Sequence, residues 1–121
     1  MNSKPTPHQD EASEVFSKAA ELFALMSSPM RLRMLSILCD KELSVSQLLE
    51  RIETTQPNLS QHLALLTQAG VLAKRKEGTT VFYRVQSEKA VQLCRSVCTQ
   101  VAIELDEPAG LADSERLLAK V

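Results

Sequence analysis

Two groups of residues in this chain have the types and spacing to do chemistry. Cys94 and Cys98 stand four residues apart, so a helix puts both thiols on one face, and thiolates are the ligands that soft ions prefer. A third thiol, Cys39, lies far away along the chain. The second group is Gln56, Asn58, Ser60, Gln61 and His62, a run of uncharged hydrogen-bonding side chains. Gln and Asn amides offer a donor and an acceptor together, the arrangement that reads an adenine edge in the major groove, and Ser makes less selective contacts. Shortly after come Lys74, Arg75, Lys76 and Arg84, cations of the kind that hold phosphates and set register.

These residues must be positioned by a single small domain. The chain has 121 residues, 44% of them hydrophobic and 24% charged, with 3 Gly and 5 Pro, an ordinary globular composition. Aromatics are scarce, at three Phe, one Tyr and no Trp, so the core must come from Leu, Val, Ala, Met and Ile, which fill helix interfaces. The first dozen residues, 1–12, carry two prolines and no apolar period and are expected to form a flexible arm. Residues 13–107 are expected to fold as one domain, with 108–121 as a tail that includes a short helical stretch at Ser114–Leu118.

Inside the domain, Val15, Phe16, Ala19, Ala20, Phe23 and Met26 repeat at helical spacing, which predicts a first helix with one buried face, ended by Ser27-Ser28-Pro29. Leu32, Leu35 and Leu38 give a second helix, opened by Pro29. Ser44 with Gln47 is a capping-box pair opening a third, short helix that reaches Ile52. Thr55 is placed to cap a fourth, with Pro57 in its first turn, Leu59, Leu63 and Leu66 facing inward and Gly70 closing it. The period then becomes extended. Residues 71–76 and 79–85 flank Glu77-Gly78 as a hairpin with a basic first strand. A fifth helix starts at Glu88, with Val91, Cys94, Val97, Cys98, Val101 and Leu105 as one apolar stripe.

The net charge of −1 gives no global attraction to a polyanion, yet residues 55–87 sum to +3, so the one locally basic segment holds the candidate reading residues. No apolar run approaches a membrane span, the amino terminus lacks the apolar core of a secretory signal, and three cysteines make a poor disulfide framework. The chain is expected to be cytoplasmic with reduced thiols. Enzymatic chemistry finds no footing: His62 has no evident nucleophile and orienting carboxylate, and there is no Gly-rich phosphate loop.

Three helices, a helix with a polar amino-terminal half and a basic hairpin follow in the order of a winged helix-turn-helix, a mostly α fold with a β-hairpin. Singly, a polar helix start is usually a solvated face and a Lys-Arg-Lys strand usually edge protection. Their occurrence together favours a DNA surface. A winged-helix protein-interaction module is the alternative from another class.

The stretches Ser28-Pro29-Met30-Arg31-Leu32-Arg33-Met34-Leu35, Glu42-Leu43-Ser44-Val45-Ser46-Gln47-Leu48, Leu59-Ser60-Gln61-His62-Leu63, Gly70-Val71-Leu72, Arg75-Lys76-Glu77-Gly78 and Val81-Phe82-Tyr83 resemble the ArsR/SmtB family of bacterial winged-helix repressors. The resemblance covers about residues 15–105. It implies a homodimer through helices one and five that binds an inverted-repeat operator and releases it when a metal ion, metalloid or thiol oxidant engages.

Two of the family's sensing sites are missing. Where the metalloid site has two thiols in helix three, this chain has Ser44 and Ser46, and the zinc positions of helix five hold Ser87, Lys89, Gln100 and Ile103. With His8 and His62 the only imidazoles, an imidazole-rich site cannot form within one subunit. There remain Cys94, Cys98 and Cys39, as ligands for As(III) or another soft ion, with no cofactor otherwise required. Thiol-oxidising relatives pair a cysteine on helix two with one late on helix five, at positions that here hold Ser36 and approximately Ala102. Cys39 and Cys98 are both displaced by about one turn, so a disulfide of Cys39 with Cys94 or Cys98 is the redox alternative. Free Cys also serves as a small buried hydrophobe, and for these three that use stays open.

Overall fold

The computed structural model describes the backbone of residues 7–105 and the side chains of residues 10–105; the expected turn at Ser114–Leu118 and the tail lie outside the described residues. Five helices and three strands follow in the order α1 (Pro7–Met26), α2 (Pro29–Leu38), β1 (Leu43–Ser44), α3 (Val45–Leu49), α4 (Gln56–Gln68), β2 (Leu72–Glu77), β3 (Thr80–Val85) and α5 (Glu88–Leu105). This is a winged helix-turn-helix fold.

Local capping chemistry sets most boundaries. Ser28 accepts from the Arg31 amide with Pro29 in the first position of α2. Ser44 and Gln47 form a reciprocal capping box at α3, and Thr55 accepts from the Asn58 amide at α4. Past the end of α4, Gly70 has φ +81°, and the amides of Gly70 and Val71 bond the carbonyls of Thr67 and Leu66. That is a Schellman closure, and only glycine adopts its left-handed backbone without strain.

Three expectations are corrected. Residues 7–12 belong to α1 rather than to an arm: a proline fits the first turn of a helix, where its missing N–H costs nothing, and Asp10 suits the positive end of the helix dipole. The helix expected to reach Ile52 is α3, five residues long, and is preceded by a strand: Leu43 and Ser44 pair with Tyr83 and Phe82, so the hairpin becomes a three-stranded antiparallel sheet in the order β1-β3-β2. The third correction concerns the apolar faces of the outer helices.

The core sits among α2, α3, α4 and the base of the sheet, where Met34, Leu35, Leu38, Leu48, Leu59, Leu63, Leu66 and Leu72 are fully buried. Each such leucine contributes about 1.5–3 kcal/mol through burial. The α1 stripe does not join them. Met26 is buried, but Val15, Phe16 and Phe23 are 63%, 72% and 59% exposed. The α5 stripe divides: Ala90, Val91, Cys94 and Ala102 face inward, while Val97, Val101 and Leu105 stand in solvent. Periodicity identifies an apolar face; it does not say whether the same chain covers it. No described helix is long and apolar enough to cross a membrane.

Candidate nucleic-acid interface and thiol pair

Helix α4 offers its polar amino-terminal half as two flanks and a crest, because residues advance by about 100° per step. Leu59, Leu63 and Leu66 point inward, which puts Gln61 close to the outermost line. Gln56 and Ser60 lie on one flank, Asn58 and His62 on the other. Gln56, Asn58 and Gln61 are exposed, whereas Ser60 and His62 are half-buried. Asn58 also donates from Nδ2 to Thr54 Oγ1 at 2.9 Å, so its amide is held against the cap. The five residues thus share one end of one helix, but Gln61 and Gln56 are the ones free to reach out.

The hairpin cations divide between two faces. Lys74 pairs across the sheet with Tyr83 and Lys76 with Val81, while Arg75 pairs with Phe82 and Ala73 with Arg84. Side chains alternate along a strand, so Lys74 and Lys76 share one face and Arg75 and Arg84 the other. All four are exposed. Arg75 is nevertheless occupied. Its guanidinium lies 2.7 Å from Glu42 Oε1 and 2.7 Å from Glu77 Oε2, and it stacks 4.9 Å from the centre of the Phe82 ring. The hydrogen bond from Arg75 holds the Glu42 carboxyl below its ordinary value, and the two carboxylates raise Arg75 in turn. The expected phosphate contact at Arg75 is therefore a guanidinium already charge-paired within the wing. Glu42, thirty-three residues away, carried no sign of this partnership.

A second partnership escaped the sequence. Arg31 Nη1 lies 3.3 Å from His62 Nδ1, and the same guanidinium donates to the Leu25 and Ala24 carbonyls at the end of α1. Burial, and after it the Arg31 charge, keeps the His62 imidazole below its usual pKa.

The thiols gather where α2 touches α5. Cys94 and Cys98 lie with sulfurs 3.7 Å apart. Two sulfurs bound at about 2.3 Å to one tetrahedral ion would sit about 3.8 Å apart, so this separation suits a shared thiophilic ion. Cys39 is fully buried and donates to the Ser36 carbonyl at 3.1 Å. Cys94 is buried, and its thiol is pushed up to about 12: burial contributes most, then the charge and hydrogen bond of Cys98, then the charge of Cys39. Cys98 is half-buried. No group of three or more His, Cys, Asp or Glu among the described residues is arranged to hold a metal ion, so the Cys94–Cys98 pair is a two-donor set.

Residues 28–74 match the family model described as bacterial regulatory protein, arsR family. The HTH-type transcriptional regulator KmtR of Mycobacterium tuberculosis is 36% identical over 92 residues, which cover 76% of this chain and 68% of KmtR. The biofilm growth-associated repressor of Xylella fastidiosa is 32% identical over 106 residues, covering 83% of this chain and 93% of the repressor. Among solved structures, reduced HlyU from Vibrio cholerae is similar with a TM-score of 0.68 at 37% identity, over 75% of this chain and 95% of that one.

Proposed function

Because this chain belongs to the arsR family of bacterial regulatory proteins, whose members matched above are transcriptional regulators rather than enzymes, we propose that it is a homodimeric repressor released from its operator by a thiol-directed signal. The observation that carries the inducer half is the 3.7 Å separation of the Cys94 and Cys98 sulfurs on one helix face. Arsenite or another soft metal or metalloid is the preferred signal. The exposed polar end of α4 supports its role as the reading helix, with Gln61, Gln56 and Asn58 toward base edges and Ser60 and His62 beside them. Lys74, Lys76 and Arg84 supply phosphate contacts, and α1 carries the domain expected from residue 13 forward to Pro7.

The dimer is proposed to form through α1 and α5. These helices touch, and both leave large apolar side chains in solvent that a second copy would cover. Two reading helices related by a two-fold axis would meet an inverted repeat. Such a protein works in the cytoplasm, where its operator is. Binding at Cys94 and Cys98 acts by population shift: an ion that prefers one setting of α5 disfavours the setting that fits DNA.

A redox or reactive-sulfur signal is the second reading, favoured by the third thiol that bears on Cys94 from α2. Oxidation would join Cys94 or Cys98 to Cys39, two thiols giving one disulfide, two protons and two electrons to an added oxidant. The raised value of Cys94 leaves it a poor source of thiolate.

The test is equilibrium binding of reduced full-length protein to the DNA upstream of its own gene, read by fluorescence anisotropy, alone, with arsenite, and with diamide or tetrasulfide. Release by arsenite that disappears in Cys94→Ser and Cys98→Ser supports the leading reading. Release only by oxidant, reversed by dithiothreitol and lost in Cys39→Ser, replaces it with the second. No DNA binding in any condition refutes both and favours a protein-interaction module.

A further inference from the structure

Arg31 joins the end of α1 to the reading end of α4 with a single guanidinium. Its Nε donates to the Leu25 carbonyl at 2.6 Å and its Nη2 to the Ala24 carbonyl at 3.3 Å, both in the last turn of α1, where carbonyls lack intrahelical donors. These two bonds fix the plane of the guanidinium. The remaining nitrogen, Nη1, is thereby aimed at His62 Nδ1, 3.3 Å away. A guanidinium has five donors and no acceptor, so Nδ1 must accept; a neutral imidazole that accepts through Nδ1 carries its proton on Nε2. Nε2 lies across the ring from Arg31 and has no partner among the described residues, on a half-buried side chain of the polar flank of α4.

We propose that Arg31 is a positioning residue that locks His62 into the Nε2–H tautomer, so that α4 presents one directed hydrogen-bond donor to an acceptor atom of DNA. This rests on α4 being the reading helix. An unlocked imidazole could exchange its donor and acceptor ends and would suit either kind of group. A locked one suits acceptors alone: a phosphate oxygen, purine N7, guanine O6 or thymine O4, but not the amino groups of cytosine or adenine. The same lock ties the flank of α4 to α1, so the orientation of this donor follows the end of the helix that carries Phe16 and Phe23.

Two measurements test the proposal. The first needs no DNA: long-range nitrogen-15 NMR of the His62 ring in the full chain reads which nitrogen carries the proton. Nε2 alone should be protonated, and Arg31→Met should give a mixture of tautomers. A wild-type ring protonated on Nδ1, or an unchanged ring in Arg31→Met, overturns the lock.

The second is operator binding. In Gln the amide nitrogen reaches about as far as Nε2 and in Asn about as far as Nδ1, so His62→Gln should keep affinity within about threefold and His62→Asn should lose about tenfold. Arg31→Met should lose about tenfold in the wild type and little in the His62→Gln background, where no tautomer needs setting. Equal losses in both backgrounds would make Arg31 merely structural and overturn the proposal. If Arg31→Met does not fold, the wild-type spectrum and the two His62 variants decide it. Methylphosphonate, 7-deazapurine, 2-aminopurine in place of guanine and 5-methyl-2-pyrimidinone in place of thymine remove in turn the phosphate oxygen, purine N7, guanine O6 and thymine O4: the one that abolishes the His62→Asn penalty names the partner, and failure of all four refutes the donor's target. Should the chain bind no operator, the reading of α4 falls with that target, and the spectrum still reports whether the lock itself exists.

Discussion

The amino end of α4 and the thiol pair on α5 are held by opposite means. Gln56, Asn58 and Gln61 stand in solvent on a helix whose ends are fixed locally, by the Thr55 cap and the Gly70 closure. Cys94 is 2% exposed and is held by packing between α2 and α5. A surface that reads another molecule must be open and already rigid, because any ordering at contact would weaken binding. A site that transmits a signal gains from being closed. An ion entering between packed helices would have to displace something, and under the proposed function that displacement would link occupancy to helix position.

The contrast can be broken most forcefully through pH. Cys94, pushed up to about 12, keeps its proton across the physiological range, and a soft divalent cation must expel it. The apparent affinity for cadmium should therefore rise about tenfold per pH unit from this proton alone, measured by competition titration between pH 6 and 8. Arsenous acid behaves differently, since each thiol proton leaves with an arsenic hydroxyl as water, and its binding should stay flat. A flat cadmium profile would mean that Cys94 is not a ligand.

Next in size is the reading surface. Gln61→Ala should weaken operator binding by about tenfold or more, the weight of one bidentate base contact, with unfolding free energy changed by less than about 0.5 kcal/mol. The smallest effect reverses that pattern. Cys94→Ala should lower stability by about 1 kcal/mol in urea denaturation, through lost packing, while leaving the affinity of the reduced protein for DNA unchanged. If Gln61→Ala proved the more destabilising of the two, the division between an open and a closed site would be wrong.

What could be read from the chain follows the same division. Caps, the Gly70 closure, the hairpin and the polar run of α4 are written in residues within a few positions of each other, and all were legible. The strand Leu43–Ser44 was not, because two residues carry no period and its partner strand begins at Thr80. The Arg31–His62 and Arg75–Glu42 contacts span 31 and 33 residues, beyond any local pattern. Cys94 and Cys98 were legible as neighbours from their spacing, whereas the bearing of Cys39 on them needed the packing of α2 on α5. The stripe of Val15, Phe16 and Phe23 was legible as one buried face, whereas whether the chain's own core covers it is not something amphipathicity alone determines.

The pairing of Arg75 with Glu42 and Glu77 has a thermodynamic consequence for how the wing would meet DNA. Duplex DNA holds condensed counterions, and their release as protein cations replace them makes affinity fall with salt by about 0.9 logarithmic units per neutralised phosphate. Only a cation not already compensated drives that release. Arg75 brings its own carboxylates: Glu77 is already counted in the +3 of residues 55–87, and Glu42, from outside that segment, brings the total with it to +2. The ionic-strength dependence of such a complex would therefore count Lys74, Lys76 and Arg84, while Arg75, already paired with Glu42 and Glu77, would add little to it.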